Sequence, residues 1–245
     1  MSVARLIGRA APQRGMGEGA FAPGDGVREI IDPPSGELRS RNIISRSNAR
    51  SSGKYPSWKM HRMMHWQSIY ERNAFCLLDG TSAVRAYCEQ PLTIRYVLRG
   101  ETHLHYPDIL VHWADGTASL WEIKPKRQAQ QEEVAERTRL LQASLPDHGF
   151  DYHMMTAEAL AQEPRWSNVQ RLLEFGRHPV TALEREAIRQ RLLGEPGISW
   201  AAASSGALGP RGRAVLCRLT LEGMLQFDVE RKLDHTSVFR LAVKA

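Results

Sequence analysis

The stretch Tyr106-Pro-Asp-Ile-Leu-Val-His-Trp-Ala-Asp-Gly-Thr-Ala-Ser-Leu-Trp-Glu-Ile-Lys124 decides the fold of this chain. Two apolar runs, Ile109 to Trp113 and Ser119 to Ile123, flank the pair Asp115-Gly116. An Asp-Gly pair between apolar runs is a strong signal for a tight turn between antiparallel strands. The stretch therefore predicts a β-hairpin.

This hairpin predicts a cluster of charged side chains at one edge of a sheet. Residues i and i+2 of a strand project to the same face, so Glu122 and Lys124 point one way and the hairpin brings Asp108 beside them. Such a cluster suits a hard divalent cation, with oxygen ligands from Asp108, Glu122 and the carbonyl of Ile123. In phosphodiester hydrolysis the metal polarises the phosphoryl oxygen, while Lys124 orients or deprotonates the attacking water or neutralises charge. Asp115 is explained by the turn itself.

The flanking segments predict an α/β layer. Apolar residues at i, i+3 and i+4 from Lys59 to Leu78 predict one amphipathic helix, which carries a third acid, Glu71. Further predicted elements are the strands Val84 to Cys88 and Leu92 to Leu98, the helix Gln128 to Ala143 and the strand Tyr152 to Met155.

Composition divides the chain into three parts. Residues 1 to 54 hold nine basic and five acidic residues and a single aromatic, Phe21, which predicts a flexible basic arm. Residues 55 to 178 hold the hairpin and form the first predicted domain. Residues 179 to 245 show three predicted helices followed by a β-hairpin, the order of a winged helix that binds DNA or a protein partner.

The charged residues resemble a known signature. Pro107-Asp108, then Glu122-Ile123-Lys124, with Glu71 upstream, resembles the PD-(D/E)XK nuclease superfamily, whose restriction-endonuclease-like fold is a mixed sheet flanked by helices. More narrowly, the chain resembles the TnsA-type endonuclease subunit of heteromeric, Tn-seven-like transposases. The segments that carry this resemblance are Lys54 to Met60, Gln67 to Arg72, Glu89 to Tyr96 and Tyr106 to Val111.

The resemblance implies a Mg²⁺-dependent DNA endonuclease, with Mn²⁺ as a substitute metal, that cuts the non-transferred strand at the 5′ ends of a transposon. It implies three partners: double-stranded DNA at the transposon ends, a DDE-family transposase subunit that cuts the 3′ ends, and an AAA+ transposition regulator. By position, Glu71, Asp108 and Glu122 become metal ligands, and Lys124 becomes the catalytic lysine. Glu122 stands where the best-known family member has a glutamine.

Charge and hydropathy fit an intracellular nucleic-acid partner. The net charge is +6 and the isoelectric point is near 9.5. No apolar run is long enough to span a membrane, so we expect a cytoplasmic, nucleoid-associated bacterial protein. The cations predicted to contact DNA are Lys59, Arg62, Lys126 and Arg127 near the site, and Arg211 and Arg213 in the C-terminal domain.

Two alternatives to the transposase subunit stay open at this point. A stand-alone PD-(D/E)XK nuclease of repair or restriction type would cut DNA without a partner. A non-catalytic module that binds DNA or bridges to a transposase would keep the fold and use no metal.

Overall fold

The computed structural model describes residues 21–35, 37, 39–40 and 52–242. The chain has a mixed α/β fold and divides into two compact units. One unit consists of Met1–Phe75 with Ala83–Leu160, and the other of Cys76–Ser82 with Ala161–Ala245. Residues 161–178, which the sequence prediction assigned to the first domain, group with the second unit.

The first unit consists mainly of β-strands. Its elements in chain order are β1 (Gly26–Ile31), β2 (Gly53–Ser57), β3 (Arg62–Trp66), the start of α1 (Ile69–Gly80), β4 (Val84–Glu89), β5 (Thr93–Leu98), β6 (Glu101–His105), β7 (Ile109–Trp113), β8 (Ala118–Lys124), α2 (Lys126–Ala129), α3 (Glu132–Ser144), β9 (Asp151–Thr156) and α4 (Ala157–Leu160).

A four-stranded mixed sheet, in the order β4-β7-β8-β9, carries the predicted hairpin. The hairpin is confirmed: β7 and β8 are antiparallel, and the Trp113 carbonyl accepts a 3.1 Å hydrogen bond from the amide of Gly116, which has φ +89°. Ile109, the first residue of β7, pairs with Trp121, whereas β8 stays paired with the parallel strand β9 as far as Lys124. The end of β8 is therefore open on the β7 side.

Helix α3 lies against an apolar cluster that joins two sheets. Its buried Leu140 and Leu141 pack with residues of β5, including Ile94 and Tyr96, and with Leu120 of β8. The apolar spacing of this segment predicted a helix facing the sheet, and the helix is confirmed from residue 132 onward. Burying such side chains contributes about 1.5–3 kcal/mol each.

The single helix predicted from Lys59 to Leu78 is wrong in its first half. Residues 62–66 form β3, which pairs with β2 in an antiparallel hairpin. Alternation fits this segment as well as helical spacing does, since Met64 is fully buried and the neighbouring Met63 is 53% exposed. The helix begins after Ser68, whose hydroxyl accepts from the amide of Glu71 as in a helix N-cap.

The prediction of a flexible arm over residues 1–54 is wrong for residues 26–31. These residues form β1, which pairs with β5, and Val27 and Ile30 pack against the apolar cluster. The entropic cost of ordering the segment is offset by this sheet pairing and burial. Residues 1–20 and 41–51 lie outside the described residues.

Strand β6 was also missed. It follows a turn in which Arg99 and Gly100 both have positive φ, +56° and +77°, as in a two-residue hairpin loop. Arg-Gly is a weak turn signal and β6 is mostly polar, so neither pattern marks the strand.

The second unit holds the helices and the short hairpin predicted for the C-terminal region. Within the described residues its elements are the end of α1, α5 (Arg165–Gly176), α6 (Ala182–Gly194), β10 (Ile198–Ser199), α7 (Trp200–Ser204), α8 (Gly212–Leu221), β11 (Leu225–Gln226) and β12 (Val238–Leu241). The three short strands pair antiparallel in the order β10-β12-β11.

Helix α5 belongs to this second unit because it packs tightly on α8. A Cβ on Gly176 would lie 3.0 Å from the amide nitrogen of Arg218, so only glycine permits this approach. Asn168 of α5 also donates to the carbonyls of Val229 and Arg231, at 2.7 and 2.8 Å, in the loop between β11 and β12. Within the described residues, no helix is long and apolar enough to cross a membrane.

Candidate active site

The open end of β8 gathers charged side chains in the first unit. Glu122 and Lys124 project from the same face of β8, as their i, i+2 spacing predicts, and the Lys124 Nζ lies 2.7 Å from the Glu122 Oε1. Asp108 immediately precedes β7, beside this end of β8. The structure therefore brings together the three residues that the hairpin predicts to meet.

The backbone of Asp108 is fixed from both neighbouring strands. Its amide donates to the Trp121 carbonyl at 2.9 Å, and its carbonyl accepts from the amide of Gln90 at 2.9 Å. Its carboxylate accepts a 2.7 Å hydrogen bond from the amide of Ile123. Burial, together with the charges of Glu122 and Glu71, raises the pKa of Asp108 well above its usual range.

Ile123 directs its backbone toward Asp108. In an extended strand the N–H and C=O of one residue point to the same side, so the Ile123 carbonyl points to the open edge where its amide meets Asp108. This is the position that the sequence predicts for a backbone metal ligand.

Glu122 is 3% exposed and has three positively charged or imidazole neighbours. Besides Lys124, its Oε1 lies 3.5 Å from the Nη2 of Arg137, and its Oε2 lies 3.4 Å from the Nε2 of His105. Burying a carboxylate is costly unless it is paired, and these neighbours supply the pairing.

Lys124 is held as a cation by the site. Burial lowers the pKa of the ammonium, but Glu122 and Asp108 outweigh that effect, and the pKa lies above the usual value. The side chain is 32% exposed, so solvent and a substrate reach it.

Glu71 lies in the first turn of α1 and is 7% exposed. Its carboxylate accepts from the amide of Gln67 at 2.8 Å and from the hydroxyl of Ser68 at 3.0 Å. These bonds cap the helix. Burial raises its pKa, and the charges of Lys124 and Glu122 both act on it, so Glu71 belongs electrostatically to the same cluster.

The donor chemistry of the cluster fits a hard divalent cation. Asp108, Glu71 and Glu122 offer carboxylate oxygens, the donors that Mg²⁺ prefers, and burial together with their mutual repulsion raises the pKa of Asp108. In the described part of the chain, however, no group of three or more His, Cys, Asp or Glu side chains has the arrangement of a preformed metal site. Glu122 is turned toward Lys124, so binding a metal requires this carboxylate to reorient.

The sequence prediction missed a layer of side chains on the buried side of Glu122, which consists of His105, Tyr152 and Arg137. The Tyr152 hydroxyl lies 2.9 Å from the Nε2 of His105, and burial lowers the pKa of His105 to about 4. Arg137 approaches from α3. A signal for Arg137 existed: it falls at i+3 from Val134 and i−4 from Leu141, on the face predicted to pack on the sheet.

Two of the predicted DNA-contacting cations make contacts within the protein. Arg62 forms a fork with the buried Glu89, with distances of 2.9 Å to Oε1 and 2.6 Å to Oε2. Lys59 places its Nζ 5.9 Å from the ring centroid of Trp58.

The remaining four predicted DNA contacts are all exposed but differ in their contacts within the protein. Lys126 and Arg127, just beyond the end of β8, are exposed. In the second unit, Arg211 donates to the Pro179 carbonyl at 2.8 Å and lies 3.3 Å from Glu184, while Arg213 stacks over Phe175 at 5.0 Å.

Comparison with known families explains this cluster. A buried acid before one strand, followed by Glu-x-Lys at the open end of the next, defines a candidate hydrolytic site. Residues 81–157 match the family model described as TnsA-like endonuclease N terminal, which confirms the resemblance noted in the sequence. The matched segment, which is similar to a TnsA-like endonuclease domain, contains Asp108, Glu122 and Lys124 but not Glu71. No curated protein matches the chain.

Proposed function

We propose that the protein is a Mg²⁺-dependent DNA endonuclease that serves as a subunit of a heteromeric transposase and cleaves the non-transferred strand at the 5′ ends of a transposon. The observation that carries this proposal is the cluster of Asp108, Glu122 and Lys124 at the open end of β8, inside the segment that matches the TnsA-like family.

Mg²⁺ would be held by the carboxylates of Asp108, Glu122 and Glu71 and by the carbonyl of Ile123. When bound, it would polarise the phosphoryl group and lower the pKa of the attacking water. The amide of Ile123 orients Asp108, and Lys124 neutralises negative charge that develops on the phosphate. The four-stranded mixed sheet with flanking helices supports a restriction-endonuclease-like fold for the first unit.

We also propose a winged-helix domain for the second unit. Helices α6, α7 and α8 followed by a β11–β12 hairpin, with β10 as a third antiparallel strand, support this assignment. In this proposal the domain docks DNA or the transposase. Arg211 and Arg213, at the start of α8, already contact residues of their own unit. We therefore favour a protein partner for this domain over contacts between the start of α8 and DNA bases.

Metal binding is the first test. We would titrate Mg²⁺ and Mn²⁺ calorimetrically into the protein with short duplex DNA, comparing wild type with Asp108→Ala and Glu122→Gln. The matched control is Asp115→Ala, an exposed aspartate of the same hairpin whose carboxylate accepts from the amide and the hydroxyl of Thr117. Binding that survives in Asp108→Ala, or that is lost equally in Asp115→Ala, would contradict the assigned site.

Cleavage with the partner is the second test. Strand-specific cutting at 5′ ends only in the presence of a DDE-family transposase and its AAA+ regulator is the expected result. Cutting without a partner would favour a stand-alone nuclease. Full transposition by the Asp108→Ala variant would favour a non-catalytic bridging module.

A further inference from the structure

Arg137 is the one cation of the candidate active site that neither the sequence signature nor the metal chemistry explains. It lies in the middle of α3, and its side chain is 21% exposed. Its Nη2 reaches the Glu122 Oε1 only at 3.5 Å, the outer limit of a hydrogen bond. Lys124 occupies the same oxygen at 2.7 Å.

The hydrogen-bonding capacity of Arg137 is only partly used, since it interacts with the hydroxyl of Tyr96 and weakly with Glu122. A guanidinium has five N–H donors in a planar fork, which matches the two oxygens of a carboxylate or phosphate. Among the described residues, the buried Nε of Arg137 has no hydrogen-bond partner. By contrast, Arg62 engages both carboxylate oxygens of Glu89 at 2.9 and 2.6 Å. Arg137 is therefore placed in the site without the bidentate acceptor that arginine favours.

The charge of the site indicates what this acceptor is. The cluster contains three carboxylates, from Glu71, Asp108 and Glu122, and two fixed cations, Lys124 and Arg137. With all three carboxylates deprotonated, as metal ligands must be, a divalent cation would leave one net positive charge, and a single phosphodiester would neutralise it. The same metal would draw Glu122 away from its cations and release the guanidinium for a new acceptor.

We propose that Arg137 binds a backbone phosphate of the DNA substrate at the active site and that its contact with Glu122 is the resting position of the free protein. The inference rests on the proposed function, because it takes DNA as the ligand of this site. The expected contact is bidentate, from the arginine fork to the two non-bridging oxygens of one phosphate. Arg137 would be a binding residue for the scissile phosphate or its immediate neighbour.

The test measures DNA binding at a fixed Mg²⁺ concentration and without the transposase, so that the metal is available to Glu122 and no cleavage is expected. We would bind a fluorescent 20-base-pair duplex to the full chain over a range of KCl concentrations, using wild type, Arg137→Met and Arg137→Lys. The matched control is Arg139→Met, since Arg139 lies on the same helix, is 59% exposed and is paired with Glu132.

A phosphate contact predicts a specific pattern in these data. Arg137→Met should weaken binding by about 10- to 100-fold and lower the slope of log K against log[KCl] by about 0.9, the share of one phosphate. Arg137→Lys should keep the slope but not the full affinity, because it keeps the charge and loses the fork. An unchanged slope for Arg137→Met, or an equal change for Arg139→Met, would overturn the proposal.

A neutral phosphate distinguishes direct contact from a purely structural pairing with Glu122. A single neutral methylphosphonate replaces each backbone phosphate of the duplex in turn. At one position this replacement should weaken DNA binding by the wild type but not by Arg137→Met. The Arg137→Met effect should also persist in a Glu122→Gln background. If it vanishes in that background, Arg137 is only the counter-ion of Glu122.

The outcomes separate this inference from the proposed function. A wild type that shows the Arg137-dependent slope but never cleaves with its partners would refute the nuclease proposal alone. A wild type that cleaves, with an Arg137→Met variant that binds DNA normally, would refute the phosphate contact alone.

Discussion

Replacing Glu89 with glutamine should destabilise the first unit by about 3 kcal/mol. The Glu89 side chain is 1% exposed and accepts from Arg39 at 2.8 Å, from both Nη atoms of Arg62 and from the amide of His65 at 3.2 Å. Removing one partner of a buried ion pair costs about 3–5 kcal/mol. We expect the lower end of this range because the side chains of Arg39 and Arg62 keep 19% and 26% exposure and can be rehydrated.

The dependence on pH tests the electrostatic origin of this loss. Burial opposes ionisation of Glu89, but the hydrogen bonds from Arg62 outweigh it, and the pKa lies below the usual value. A lowered folded-state pKa means that the stabilisation is complete above the unfolded pKa, near 4.3, and is lost as the pH falls through the folded pKa. The difference between wild type and Glu89→Gln should therefore be constant near pH 7 and should shrink below about pH 4.

Urea unfolding followed by tryptophan fluorescence, at several pH values, measures both quantities. Glu29→Gln is the control, since the Glu29–Arg95 pair is about half exposed on both sides and should contribute under about 1 kcal/mol. A loss below 1 kcal/mol for Glu89→Gln, or a loss that does not change in acid, would refute the reasoning.

Three further predictions follow from the site and from β1. Asp108→Asn should raise the melting temperature of the metal-free protein at pH 7, by about 2–4 °C for each kcal/mol recovered. The reason is that the raised pKa of Asp108 makes its ionised form unfavourable in the folded state. Scanning fluorimetry measures this gain, which should disappear at pH 3, where the wild-type carboxyl is protonated in both states. Lys124→Ala should keep metal binding and lose cleavage, because it removes a cation and no ligand; equal loss of Mn²⁺ affinity in Lys124→Ala and Asp108→Ala by calorimetry would contradict this role. Deleting residues 1–32 removes β1 and uncovers the edge of β5, so urea unfolding should show a loss of several kcal/mol, whereas deleting residues 1–20 leaves β1 in place.

The sequence predicted the charged cluster at the end of β8 because the residues that form it are close together in the chain. Asp108, the turn at Asp115-Gly116 and the Glu122-Ile123-Lys124 triplet lie in one continuous hairpin, where strand periodicity and turn chemistry place each side chain. The metal and DNA roles of these residues stay predictions.

The errors fall where pairing is non-local. Strand β3 was predicted as helix because helical spacing also fits its apolar residues and its partner β2 has no clear strand pattern. Strand β1 was missed because its pairing with β5, more than sixty residues further along the chain, and its packing on the apolar cluster are both non-local. A capping signal was present in Ser68-x-x-Glu71 and would have placed the helix start correctly. Local patterns fixed the elements that need no distant partner.

The layer behind Glu122 shows why a signature alone describes a site incompletely. The signature specifies the atoms that face the substrate, whereas a carboxylate that is 3% exposed also needs partners on its buried side. Those partners, His105 from β6 and Arg137 from α3, come from elements on either side of the hairpin in the sequence. Glu122 holds Lys124 and Arg137 at one oxygen, so under the proposed function a metal that binds this oxygen would compete with both cations. Under that proposal, metal binding and cation release would be coupled through a single side chain, and the released cation would lie next to the phosphate.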